Sequence, residues 1–260
     1  MAVVVGRPAG GVSEVVVATR GLGRRFGGLQ AVKDVGLMLH DGELRALIGP
    51  NGAGKTTLIN LLSGLTPASS GGIWFRGEDI TAWPAARRAR AGIARTMQVT
   101  AICPSLTVFE NVWLSAQRSL GRPPALASRS RLPGVAERSR ECLELAGIEA
   151  HADEPAGSIG HGNQRLLEIA IALALKPRVL LLDEPTAGMS VKESWEIVKR
   201  LREIRDRDRL TVLIVEHDME IVMELAERIT VLHLGQTLAE GSPDEVARNT
   251  EVQRVYLGGR

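Results

Sequence analysis

The chain has 260 residues, of which 44% are apolar and 24% charged, with a formal net charge of +2. Such a chain supports one large α/β domain or two small ones, and its near-neutral balance gives no strong pull toward nucleic acid or a membrane surface. Aromatics at 3% count against a base-stacking surface, and the two cysteines, Cys103 and Cys142, make neither a disulfide framework nor a metal-ligand spacing, which fits a reducing cytosol.

No segment reaches the roughly 18 apolar residues that cross a bilayer. The longest candidate, Leu166 to Leu175, is broken by Glu168 and stopped by Lys176-Pro177. The apolar run Ala2 to Val5 has no charged flank before it and no long apolar core, so a signal peptide is not expected. A membrane role is therefore expected only through a partner subunit.

Residues 1–13 are Gly-rich and read as a flexible N-terminal tail. Short β-like runs follow at Glu14 to Thr19, Val35 to Leu39 and Glu43 to Ile48, separated by turn signals such as Gly27-Gly28 and Asp41-Gly42. A helix is expected from near Gly54 to about Ser63, and a strand at Ile73 to Phe75. Leu106 to Ser115 and Val135 to Ala146 read as amphipathic helices, joined by a linker rich in Arg, Pro and Ser at Gln117 to Pro133. The arginines at 118, 122, 129, 131, 138 and 140 invite a lipid-headgroup reading, but a solvated linker is the expected one. From Gln164 the pattern alternates: helix, buried strand Val179 to Leu182, helix Val191 to Arg207, strand Thr211 to Val215, helix, strand Ile229 to Leu234. That alternation predicts a mostly parallel sheet covered on both faces. No internal repeat is visible.

Two motifs carry chemistry on their residues alone. Gly49-Pro50-Asn51-Gly52-Ala53-Gly54-Lys55-Thr56-Thr57 matches G-x-x-x-x-G-K-[ST] between a strand and a helix. Glycines let the backbone wrap a phosphate, the amides and helix N-terminus attract it, Lys55 reaches the β- and γ-phosphates, and the Thr56 hydroxyl can ligate Mg²⁺. The second is the apolar run Val179 to Leu182 ending in Asp183-Glu184, at the strand edge where open α/β sheets bind ligands. Asp183 can hold Mg²⁺ through water, and Glu184 can polarise an attacking water.

Around these, Ile159-Gly160-His161-Gly162-Asn163-Gln164-Arg165 resembles the ABC signature, usually Leu-Ser-Gly-Gly-Gln. Other marks of that family fall in its order. Gln98 resembles the Q-loop glutamine, Thr186 to Ser190 the D-loop, His217 the switch histidine, and Phe26 the aromatic that stacks on adenine. The resemblance covers about residues 14–258.

It implies a P-loop NTPase core of class α/β, with an N-terminal antiparallel β subdomain and a helical subdomain inserted at about 99–160, in one ABC ATPase domain spanning 14–260. It also implies an ATPase in which two cassettes face head to tail. ATP lies on residues 49–57 of one, with Mg²⁺ at Thr56, Gln98 and Asp183. The signature of the other (Ile159, Gly160, His161, Gly162, Asn163) completes the site. Lys55, Glu184 and His217 are the expected catalytic groups. The implied partners are a second cassette, two permease subunits and a solute-binding protein, at the cytoplasmic face of a membrane and without nucleic acid.

Two positions depart from the family pattern. Gly160 replaces the signature serine, whose hydroxyl contacts the γ-phosphate held by the opposite subunit, and Ser190 replaces the D-loop aspartate. The segments Phe26 to Val32, Gly92 to Gln98, Arg165 to Ala170 and Val252 to Gly258 resemble branched-chain amino-acid importer cassettes. Importers of urea or other small solutes, lipopolysaccharide-export cassettes and soluble ABC ATPases are the alternatives. The segment near Val99 to Val112 is expected to meet the membrane partner.

Overall fold

A computed structural model describes residues 14–96, 102–119 and 133–257. Among them the strands form two sheets. The first is antiparallel, in the order β2-β1-β4-β5, from β1 (Val15–Phe26), β2 (Leu29–His40), β4 (Ser70–Phe75) and β5 (Glu78–Asp79). The sequence predicts β1 only as far as Thr19. The strand continues because the pairing steps across register shifts between Thr19 and Leu22, with Gly21 at φ 59, where an alternating pattern reads as a break. It then reaches Phe26 and the hairpin to β2.

The second sheet runs β10-β9-β3-β8-β7-β6. It contains β3 (Leu44–Ile48), β6 (Ile93–Arg95), β7 (Val179–Asp183), β8 (Thr211–Val215), β9 (Arg228–His233) and β10 (Gln236–Gly241). The strands β9, β3, β8, β7 and β6 are parallel neighbours, and β10 adds an antiparallel edge. In a strand, successive side chains face opposite ways. In β7, Leu180 and Leu182 enter one core and Val179 and Leu181 the other; in β8, Val212 and Ile214 oppose Leu213 and Val215. Both faces are buried, so these strands are continuous apolar runs.

Helix α1 (Lys55–Ser63) lies on the core shared with the antiparallel sheet. On the other face lie α3 (Val108–Ser119), α4 (Pro133–Ala146), α5 (His161–Ala174) and α6 (Val191–Asp208), followed by α7 (Met219–Leu225), α8 (Pro243–Arg248) and α9 (Thr250–Leu257). Val108, Val112, Leu143, Leu166 and Leu167 share one core, with the Phe109 and Trp113 rings 5.8 Å apart. The short α2 (Ala85–Ala91) was not legible because it is built of Ala and Arg without an apolar stripe. Its Arg88 is 1% exposed and donates to the Leu61 and Leu62 carbonyls, closing the C-terminal end of α1.

The expected linker at Gln117 to Pro133 is shorter at both ends. Helix α3 runs through Ser119, with Gln117 buried, and α4 starts at Pro133, a residue suited to a first helical position. Residues 120–132 lie outside the described residues. Of the arginine run, Arg138 is no solvated charge: it pairs with Glu141 at 2.7 Å and donates to the Leu173 carbonyl of α5 at 2.6 Å.

Candidate nucleotide site

The parallel strands β3, β7 and β8 end at one edge of the sheet, and the chemistry-bearing residues follow them. After β3 the chain turns through Gly49 (φ 149), Gly52 (φ 79) and Gly54 (φ 103) into α1. A Cβ at Gly49 would stand 2.2 Å from the Leu232 carbonyl oxygen, and one at Gly54 2.4 Å from that of Ala31. Both glycines are therefore dictated by close backbone approach as well as by φ. No side chain caps α1, so its first N–H groups stay available to an anion. Lys55 is buried and its Nζ donates to the Gly49 carbonyl at 2.7 Å and the Pro50 carbonyl at 3.1 Å. Burial pulls its pKa down, and the carboxylates of Glu184 and Asp183 pull it back up. The lysine thus folds over its own loop and faces the two acids.

Asp183 ends β7 and is 1% exposed. Its Oδ2 accepts from Arg95 of β6 at 3.0 Å, while its Oδ1 is buried and has no partner among the described residues. Burial raises its pKa, and the Arg95 guanidinium opposes that rise. Arg95 also donates to the Asn60 side chain and to Ser63 Oγ at 3.3 Å, so it joins β6, β7 and α1 behind the site. Glu184 sits at φ 51, and its N–H returns to the Val215 carbonyl at 3.0 Å. That turn carries its side chain to His217, with Nε2 and Oε1 2.6 Å apart.

Beyond this cluster, Phe26 closes β1 with 46% of its surface open and the Arg24 guanidinium 4.5 Å from its ring centre. The stretch resembling the signature opens α5. Gly160 is its N-cap in extended conformation, and a Cβ there would meet nothing within 4 Å. His161 is exposed, Gly162 packs beside Glu193, and Asn163 bonds the His151 ring at 3.0 Å. Ile159 is 6% exposed and belongs to the core, so its side chain offers no surface to a facing subunit. Ser190 caps α6 in a reciprocal box with Glu193, which gives this departure a local structural role. Gln98 lies outside the described residues.

Sequence reasoning missed three residues. Arg95 falls inside the stretch Gly92 to Gln98, where nothing local marks it as the partner of Asp183. Glu216, the residue after β8, carries much the same signal as Asp183, an acid following an apolar strand; it is 4% exposed and bonded to Thr186 and His217. Tyr256 of α9 lies near the Gly49 backbone, which opposes the rise to about 12 that burial gives its phenol.

A glycine-rich turn at a helix N-terminus, with a lysine and two strand-end acids converging on it, defines a P-loop nucleotide-binding protein. The family description "ABC transporter" matches residues 32–187, and "Branched-chain amino acid ATP-binding cassette transporter" matches residues 236–260. The chain belongs to the ABC transporter family and is one of its ATP-binding, ATP-hydrolysing cassettes. It is 38% identical over 253 residues to the high-affinity branched-chain amino acid transport ATP-binding protein LivG of Salmonella typhimurium, covering 95% of this chain and 99% of that one. The crystal structure of the ADP conformation of an ABC transporter cassette superposes with a TM-score of 0.84 at 28% identity, covering 95% of this chain and 100% of that one. A dimeric post-hydrolysis cassette bound to ADP and Pi superposes at 0.74 and 26% identity, covering 87% and 98%.

Proposed function

We propose that this cassette powers the import of branched-chain amino acids from the cytoplasmic face of a membrane transporter. The observation that carries the reading is the 38% identity to LivG over 95% of the chain. The match of residues 236–260 to a branched-chain amino acid cassette description adds to it. Among the described residues no helix is long and apolar enough to cross a membrane. The transport path therefore belongs to partners: two permease subunits, fed by a solute-binding protein. A second cassette completes the ATP sites, a reading supported by the dimeric relative. Residues 14–260 act as one domain, with about 99–160 as its inserted helical part, and Gln98 with the segment near Val99 to Val112 meets the permease.

Within that assembly, Phe26 stacks the adenine, and the amides of residues 49–57 with Lys55 hold the triphosphate. Glu184 accepts a proton from the attacking water, and His217 orients Glu184 and faces the γ-phosphate. The facing subunit supplies its residues 159–163 through backbone amides and the N-terminus of α5.

The donor set also fits Mg²⁺. Thr56 lies in the first turn of α1, and Asp183 Oδ1 is a buried acceptor with no partner among the described residues, which a hydrated cation would satisfy. Among the described residues no cluster of three or more His, Cys, Asp or Glu could cage a metal alone, so the remaining ligands are water, phosphate oxygens and Gln98. When bound, the ion neutralises charge across the β- and γ-phosphates.

The test is ATP hydrolysis by the reconstituted transporter with its binding protein loaded with leucine, isoleucine or valine. Stimulation several-fold over the unloaded binding protein is expected. Stimulation by a different solute alone would reassign the substrate.

A further inference from the structure

Two loops carry the reactive pair of this site. One leaves β7 with Glu184 and reaches Thr186 two residues later; the other leaves β8 with Glu216 and His217. They are tied by a single buried carboxylate. Glu216 Oε1 accepts the Thr186 hydroxyl at 2.7 Å and the Thr186 N–H at 3.2 Å. Its other oxygen, Oε2, accepts the N–H of His217 at 3.2 Å. The side chain is 4% exposed, and among the described residues no Lys or Arg pairs with it. A carboxylate withdrawn from water in this way is retained at a cost unless its acceptors are filled. Here three donors fill them, from the two loops whose tips meet at 2.6 Å between His217 Nε2 and Glu184 Oε1.

We propose that Glu216 is a positioning residue for ATP hydrolysis, clamping the loop after Glu184 to the switch loop so that His217 and Glu184 stay in register. This rests on the reading of Glu184 and His217 as the hydrolytic pair. Glu216 itself touches neither nucleotide nor water in the reaction; it sets the distance between two groups that do. Its chemistry is specific to a carboxylate. A glutamine of the same shape has one oxygen and one NH₂. If the oxygen keeps Thr186, the NH₂ faces the His217 N–H, and donor opposes donor. With the amide flipped, the Thr186 N–H is opposed instead. Either way one loop is released. Thr186→Val removes the hydroxyl leg while keeping the shape, and Thr186→Ser keeps the hydroxyl.

The experiment measures steady-state ATP hydrolysis and ATP affinity of the full chain, with thermal melting of each variant. Glu216→Gln is expected to lower kcat by about 10- to 100-fold, with ATP affinity within about threefold of the parent. Thr186→Val should show a smaller fall of the same kind and Thr186→Ser a kcat within about twofold. The double variant Glu216→Gln/Thr186→Val should be no slower than Glu216→Gln alone, because the residues act as a unit. Equal kcat for Glu216→Gln and the parent overturns the proposal, as does a loss confined to ATP affinity or one that tracks melting temperature across all variants. Glu184→Gln separates the two levels. If it hydrolyses ATP like the parent, the hydrolytic pair is misassigned; if it is inactive while Glu216→Gln is not, only the clamp fails.

Discussion

Arg95 lies 3.0 Å from one oxygen of Asp183, and the other oxygen is buried and unpartnered among the described residues. The two side chains are 8% and 0% exposed. The arginine thus opposes the upward push that burial gives the Asp183 carboxyl, while leaving one of its oxygens to another partner.

Removing the guanidinium by Arg95→Met should leave a buried charge without compensation and free the Asn60 and Ser63 acceptors of α1. The expected loss is about 3 kcal/mol of nucleotide-free stability, read from urea unfolding midpoints. Adding Mg²⁺ and ATP should restore part of it, since a cation at Asp183 replaces the missing positive charge. A variant as stable as the parent would show that the pair is of no structural consequence.

Lys55→Ala should weaken ATP binding by about 10- to 100-fold and remove turnover, because the loop loses the cation that faces Glu184 and Asp183. Titration calorimetry separates the affinity from the rate. Its nucleotide-free stability should change little, since the bonds lost are those to its own loop carbonyls.

The phosphate loop was legible in the sequence because its chemistry is local: nine consecutive residues supply the turn, the amides and the lysine. The parallel core was legible too, since strands buried on both faces leave unbroken apolar runs such as Val179 to Leu182. What could not be read depends on distance along the chain. Arg95 and Asp183 are 88 residues apart, and Thr186 and Glu216 are 30 apart. Only the pairing of β6, β7 and β8 brings them together. The edge strand β10 escaped because Gln236–Gly241 buries only its last residue and lacks an apolar run.

Gly160→Ser is sterically free, because a Cβ there meets nothing within 4 Å, and it places a good N-cap residue at the start of α5. Stability should rise by only a few tenths of a kcal/mol, the usual difference between Gly and Ser at that position. If the Gly160 stretch faces the partner's ATP as proposed, a hydroxyl added there should raise the ATPase rate of the assembled transporter by about tenfold. A rate no higher than the parent's would mean that the backbone amides of α5 already suffice.

Glu184 is the carboxylate proposed to activate water, in a site proposed to be completed by a second cassette. Its most direct test is Glu184→Gln in the full chain, followed by light-scattering gel filtration with ATP and Mg²⁺ beside a hydrolysis assay. Hydrolysis should fall by about 10²- to 10⁴-fold, the usual contribution of a general base. The 27.9 kDa chain should then elute at twice its mass with ATP and Mg²⁺ and as a monomer without nucleotide. Parental hydrolysis together with a monomer in ATP would contradict both the assignment of Glu184 and the shared site.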